Sequence, residues 1–169
     1  MTIHPAVRTL SILLLVVALT GTAAVAAPPQ GEAPAPSPEM QALMDQALER
    51  SGLKYRKVQD RFWFATCESK LVANCQILMT ATPNILVMGV VIKQRKDLNV
   101  TPEMLAGLLH LNHNLERVKV GIDDDGDLFE RVEVSTKGLD ADEILADLKA
   151  VQDAIEPTAQ AAQAAQAAQ

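Results

Sequence analysis

The sequence predicts an α+β domain, an antiparallel sheet with three helices packed on it, in the order α-β-β-β(-β)-α-β-β-α. Three observations lead there. Apolar residues recur at helical spacing in three separate stretches, and runs rich in β-branched and aromatic residues, bounded by turn residues, lie between them. The turn Asp125-Gly126 joins two of those runs with a hairpin signature. At 169 residues the chain has room for one compact domain and no second core of useful size.

The first helix is predicted from Ser37 as cap and Pro38 in the first turn. Met40, Leu43, Met44, Ala47 and Leu48 follow at i, i+3, i+4, i+7, i+8, and Gly52 is placed to end it. From Lys54 to Cys67 the chain reads as strand, turning around Gln59-Asp60, and holds four of the five aromatic residues of the sequence: Tyr55, Phe62, Trp63 and Phe64. Cys75 to Thr82 and Ile85 to Lys93 are the next strands, separated by Thr82-Pro83-Asn84. The run from Ile85 to Ile92 does not alternate, so it is expected to be a central strand needing cover on both faces. Three short amphipathic helices do not supply all of that cover, which leaves apolar surface for a second copy or a protein client.

Thr101-Pro102 opens the second helix, with Met104, Leu108, Leu111 and Leu115 as one stripe flanked by Leu105 and Leu109. Val118, Val120 and Ile122 then alternate with polar or small residues before the Asp125-Gly126 turn leads into Leu128 to Thr136. The third helix has Asp140 as cap, Glu143 as reciprocal capping partner and Leu139 with Ile144 as a hydrophobic staple. Pro157 is expected to stop it. Residues 157–169, with Ala-Ala-Gln three times over, read as a disordered tail, and the Pro/Ala-rich residues 27–37 as an extended linker, so the domain is placed at residues 38–156.

Residues 1–26 have the three parts of a secretory signal peptide: Arg8 in a short leading region, an apolar run from Leu10 to Leu19, and Ala24-Val25-Ala26 before the scissile bond. Ten apolar residues rise only about 15 Å as a helix, half of a bilayer core of ~30 Å. The run is therefore expected to be cleaved, giving a chain that starts at Ala27, with no membrane span after removal and a periplasmic or secreted location. Export makes the two cysteines, Cys67 and Cys75, an expected disulfide, since neither redox nor zinc-ligand spacing is present.

Composition narrows the partners. A net charge of −6 argues against nucleic acid or an anionic membrane as the main ligand. Asp123, Asp125, Gly126 and Asp127 resemble a calcium loop, but with Gly126 at its sixth position Gly121 falls at the first ligand and Val132 at the twelfth, where a bidentate Glu is needed. A solvated turn is the better reading. His110 and His113, at i, i+3, point away from the Leu stripe with no Cys near them, and read as surface histidines rather than zinc ligands. The sequence contains no nucleophile elbow, phosphate-binding glycine loop or H-E-x-x-H. No catalytic, cofactor-binding or metal-ligating residue is expected, and no cofactor.

The element order, with the run LLHLNHNLERVKVGIDDDGDLFERVEV and a closing amphipathic helix, resembles the YbjN family of the type III secretion chaperone-like fold. In that family a Leu-rich helix ends in an Asn-containing turn, here Asn112 to Asn114, ahead of a hairpin with an acidic-Gly turn. The resemblance spans about residues 38–156. It implies helices packed on an antiparallel sheet and a non-enzymatic, often dimeric protein that binds or regulates other proteins. The signal peptide, disulfide and Ala-Gln tail set this chain apart from cytosolic chaperones, which meet their clients before export. The expected function is an exported chaperone-like binding module; a small exported hydrolase or metal-dependent enzyme, and a structural envelope protein, are the alternatives.

Overall fold

A computed structural model describes residues 34–167. The expected signal peptide and most of the linker lie outside them. Helix α1 (Pro38–Ser51) begins where Ser37 Oγ accepts from the Met40 N–H at 3.1 Å, and ends at Gly52, whose φ of +71° is the left-handed conformation that a glycine adopts without strain. Strands β1 (Tyr55–Gln59), β2 (Phe62–Thr66), β3 (Gln76–Ala81) and β4 (Ile85–Lys93) follow as an antiparallel meander. A 3₁₀ turn over Arg95–Asp97 leads to α2 (Pro102–Asn114), capped by Thr101, then to β5 (Lys119–Ile122), β6 (Leu128–Ser135) and α3 (Ala141–Ala167). The six strands form one sheet in the order β1-β2-β3-β4-β6-β5, antiparallel throughout.

One face of this sheet makes the core. Trp63, Ala65, Ile77, Met79, Leu86, Met88, Val90, Val120, Leu128 and Val132 share a phase of the pleat and are buried together with Met44 and Leu48 of α1, Met104 and Leu108 of α2, and Ile144, Leu148, Val151 and Ile155 of α3. Trp63 donates from Nε1 to Asp45 of α1 at 3.0 Å, and Arg50 bonds Asp142 at 2.5 Å, so α1 is tied both to the sheet and to α3. At the α3 start Asp140 Oδ1 accepts from the Glu143 N–H at 2.8 Å over a buried Leu139 and Ile144, while the Glu143 carboxylate faces Arg117 at 3.9 Å.

Two expectations are corrected. Strand β4 is central but, among the described residues, covered by helices on one face only. Leu86, Met88, Val90 and Ile92 enter the core, whereas Val87, buried to 7% exposure, lies apart from it, and Ile85 is exposed. All three described helices lie on the same side of the antiparallel sheet, so an unbroken apolar run does not require two helical layers. The second correction concerns Pro157, which sits inside α3 instead of ending it. A proline there forfeits one backbone hydrogen bond, at a cost of ~3 kcal/mol. The helix persists because Ala154, Ile155, Thr158, Ala159 and Ala162 are all buried, the small residues letting α3 lie close over β4 and β6. The segment expected to be a disordered tail is thus helical as far as Ala167.

Candidate functional site

The opposite face of the sheet carries the phase of the pleat that none of the described helices covers. Phe62, Phe64, Leu78, Val87, Val91 and Phe129 form its apolar surface, all but Val87 only partly buried. Cations lie over the rings: the Arg56 guanidinium is 4.8 Å from the Phe64 centroid, that of Arg61 4.9 Å from Phe62, and that of Arg131 4.8 Å from Phe129. Each such stack is worth about 0.5–1 kcal/mol at an exposed site and keeps an otherwise bare ring shielded from water.

Two glycines shape this face. A β-carbon at Gly89 would meet the Glu130 carbonyl oxygen at 2.7 Å and the Arg131 β-carbon at 2.8 Å, and one at Gly121 would meet the Phe129 ring at 3.3 Å. Gly89 therefore makes room for Arg131, and Gly121 for Phe129. Arg131 Nε is 2.8 Å from Glu133 Oε1, with an angle that misses hydrogen-bond geometry, and Lys119 Nζ is 3.5 Å from Glu133 Oε2. Glu133 is the sole carboxylate among these described side chains.

The two ends of the sheet differ. On α2, Asn112 accepts from the Val120 N–H and donates to the Val120 carbonyl, both at 2.7 Å, so its amide occupies the outer edge of β5 as a neighbouring strand would. The β1 edge carries Arg56, Lys57 and an exposed Val58. Between β2 and β3 the chain is closed by the Cys67–Cys75 disulfide, with α-carbons 5.1 Å apart, as the sequence led us to expect. Asn74 turns that loop at a φ of +53°. Glu156 of α3 holds it, accepting from Ser69 Oγ at 2.8 Å and the Lys70 N–H at 2.6 Å. These bonds keep its carboxyl below the usual pKa.

Residues singled out in the sequence fall elsewhere. Asp123 Oδ1 accepts from the Asp125 and Asp127 N–H groups, and Asp127 Oδ1 from the Arg95 N–H at 2.7 Å, so the acidic loop spends these carboxylates on its own amides and the adjoining turn. Gly126, at φ +85°, packs against the Arg95 side chain. His110 and His113 are exposed on α2. Among the described residues no group of three or more His, Cys, Asp or Glu is arranged to hold a metal, and no helix is long and apolar enough to cross a membrane.

Sequence reasoning missed two buried acids. Asp147 of α3 has a fully buried side chain paired with Arg117. Glu130, on β6, is fully buried between Val90 of β4 and Val120 of β5, and neither of its carboxylate oxygens completes a hydrogen bond. Burial pushes its pKa from 4.5 up to about 7, a shift eased but not cancelled by the nearby Thr158 hydroxyl. The signal for Glu130 was the period-two phase of β6, in which it falls with Leu128 and Val132 rather than with Phe129 and Arg131.

Among the described residues the architecture is an antiparallel sheet with its helices on one side and a cation-edged apolar surface on the other. Solved structures agree on the fold. A chain of the heterodimeric ExoU–SpcU complex from the type III secretion system of Pseudomonas aeruginosa matches at a TM-score of 0.54 and 16% identity, over 72% of this chain and 98% of that one. YbjN, a proposed transcription regulator from E. coli, matches at a TM-score of 0.50 and 15% identity, over 75% of this chain and 91% of that one. The fold is YbjN-like and type III secretion chaperone-like. No protein-family model matches the sequence, and no curated protein does.

Proposed function

We propose that this protein is an exported, non-enzymatic, chaperone-like module that holds a protein client against the helix-free face of its sheet. The observation that carries this reading is the face itself: a partly exposed apolar surface spanning β2, β3, β4 and β6, shaped by Gly89 and Gly121 and edged by arginines. Contiguous apolar surface of this kind seldom stays bare on a soluble monomer. The fold match to a chain of a heterodimeric complex supports a protein as the partner, and the disulfide supports an oxidising compartment such as the periplasm or the exterior.

Homodimerisation belongs to the same proposal. A two-fold pairing of the sheet face would bring the cations Arg56, Lys119 and Arg131 of one copy towards those of the other. The surface assigned to a second copy is therefore α2, where Leu105 and Leu109 are exposed, Leu109 to 71%, on adjacent turns. Size-exclusion chromatography with light scattering tests both parts. The expected result is a dimer at micromolar concentration that forms a stable complex with reduced, unfolded α-lactalbumin. A chain that stays monomeric and leaves that client unbound would refute the proposal.

A further inference from the structure

The register of the sheet places one row of side chains across its whole open face: Arg56 opposite Phe64, Phe64 opposite Leu78, Leu78 opposite Gly89, Gly89 opposite Arg131, and Arg131 opposite Lys119. The row is cationic at both ends and apolar in the middle, with Gly89 letting Arg131 pack close against β4. We infer that it is the docking site of an extended protein segment whose short apolar centre is bracketed by acidic residues. This deepens the protein-binding proposal above and rests on it.

Charge selects the partner. Three cations, Arg56, Arg131 and Lys119, share this part of the face with the single carboxylate of Glu133, on a chain whose net charge is −6. The face is thus positive where the chain as a whole is negative, and complementary charge steers an acidic partner to it while repelling a second copy of the same face. Spacing sets the segment. From β1 to β6 there are four interstrand steps, about 19 Å at ~4.8 Å each, which about six residues of extended chain span. Carboxylates at the two ends of such a stretch reach Arg56 and the Arg131–Lys119 pair, and the apolar side chains between them meet Leu78 and the uncapped edge of Phe64. A single-stranded nucleic acid fits less well. The Phe64 and Phe129 rings are already capped by guanidinium groups, so they offer no free stacking platform, and the centre of the row is aliphatic.

The test is fluorescence anisotropy on the full mature chain with three labelled peptides. The first has alternating Leu and Thr bracketed by paired Glu at each end; the second and third carry Lys or Gln in place of every Glu. The Glu peptide is expected to bind about tenfold tighter than the Lys peptide, an advantage that falls with added salt. In the double variant Arg56→Glu, Lys119→Glu, both solvent-facing substitutions, the preference is expected to reverse. Equal binding of the Glu and Gln peptides would overturn the acidic specificity while leaving the protein-binding proposal standing. Displacement of the Glu peptide by an oligouridylate would overturn the choice of partner. If unfolded α-lactalbumin binds but no peptide does, the row is not the site; if neither binds, the protein-binding proposal itself fails.

Discussion

Glu130 is the residue whose chemistry is most at odds with its surroundings. Its pKa of about 7 in the folded chain lies above the 4.5 of an exposed glutamate, so between those values the folded state binds more protons than the unfolded one. Stability is then greatest below pH 4.5 as far as this group is concerned, falls as pH rises towards 7, and levels off above it; the span is on the order of 3 kcal/mol. The other carboxylates on α3 near the core are engaged, Asp147 by Arg117 and Glu156 by Ser69. Glu130→Gln is expected to flatten this slope and to be more stable than the parent chain at pH 8. Urea midpoints of both proteins at pH 5 and pH 8 check this, and a parallel pH dependence in the two would contradict it. A second prediction at this scale concerns the disulfide, which closes a loop with a sequence separation of 8. Replacing both Cys67 and Cys75 with Ser is expected to cost about 2.5 kcal/mol on the chain-entropy account, read by the same titration.

Among the elements, α3 and β5 carry the sharpest expectations. Removing residues 157–169 takes away the buried Thr158, Ala159 and Ala162, and is expected to destabilise the fold by on the order of 2 kcal/mol at pH 5, where Glu130 is protonated. Thermal melts compare the two chains; an unchanged midpoint would mean that the segment contributes nothing to the core. Asn112→Ala leaves the Val120 backbone groups without their side-chain partner, with an expected loss of about 1–3 kcal/mol and faster aggregation through the freed β5 edge. A urea titration and turbidity on standing measure the two effects. Much of this level was legible in the sequence, because Ser37, Thr101, Asp140 and Gly52 act locally, satisfying or terminating the helix next to them. The Asp125-Gly126 turn was legible for the same reason. What depended on distant partners was not: Pro157 reads as a stop until Ala159 and Ala162 are seen packed into the core, and Asn112 reads as part of a turn until its amide is seen on β5. The candidate face was foreseen only as an apolar strand in want of cover. Its row of Arg56, Phe64, Leu78, Gly89, Arg131 and Lys119 draws on all six strands and exists only once their register is known.

For the molecule as a whole, the topology divides the work between the two faces of one sheet. Among the described residues the helices spend their apolar stripes on the core face, where they stabilise the fold, and leave the other face to the side chains of the strands. On the proposed function stability and binding are separable, and a charge placed on the open face is expected to abolish binding with little effect on the core. The most direct measurement is suppression of aggregation of reduced α-lactalbumin by the parent chain, by Leu78→Lys on the sheet face, and by the double variant Leu105→Lys, Leu109→Lys on α2. The protein-binding account requires suppression by the parent chain and by the α2 variant, and its loss in Leu78→Lys while that variant keeps its circular dichroism spectrum. Suppression that survives Leu78→Lys but disappears in the α2 variant would contradict it, placing the client on the helical side of the molecule.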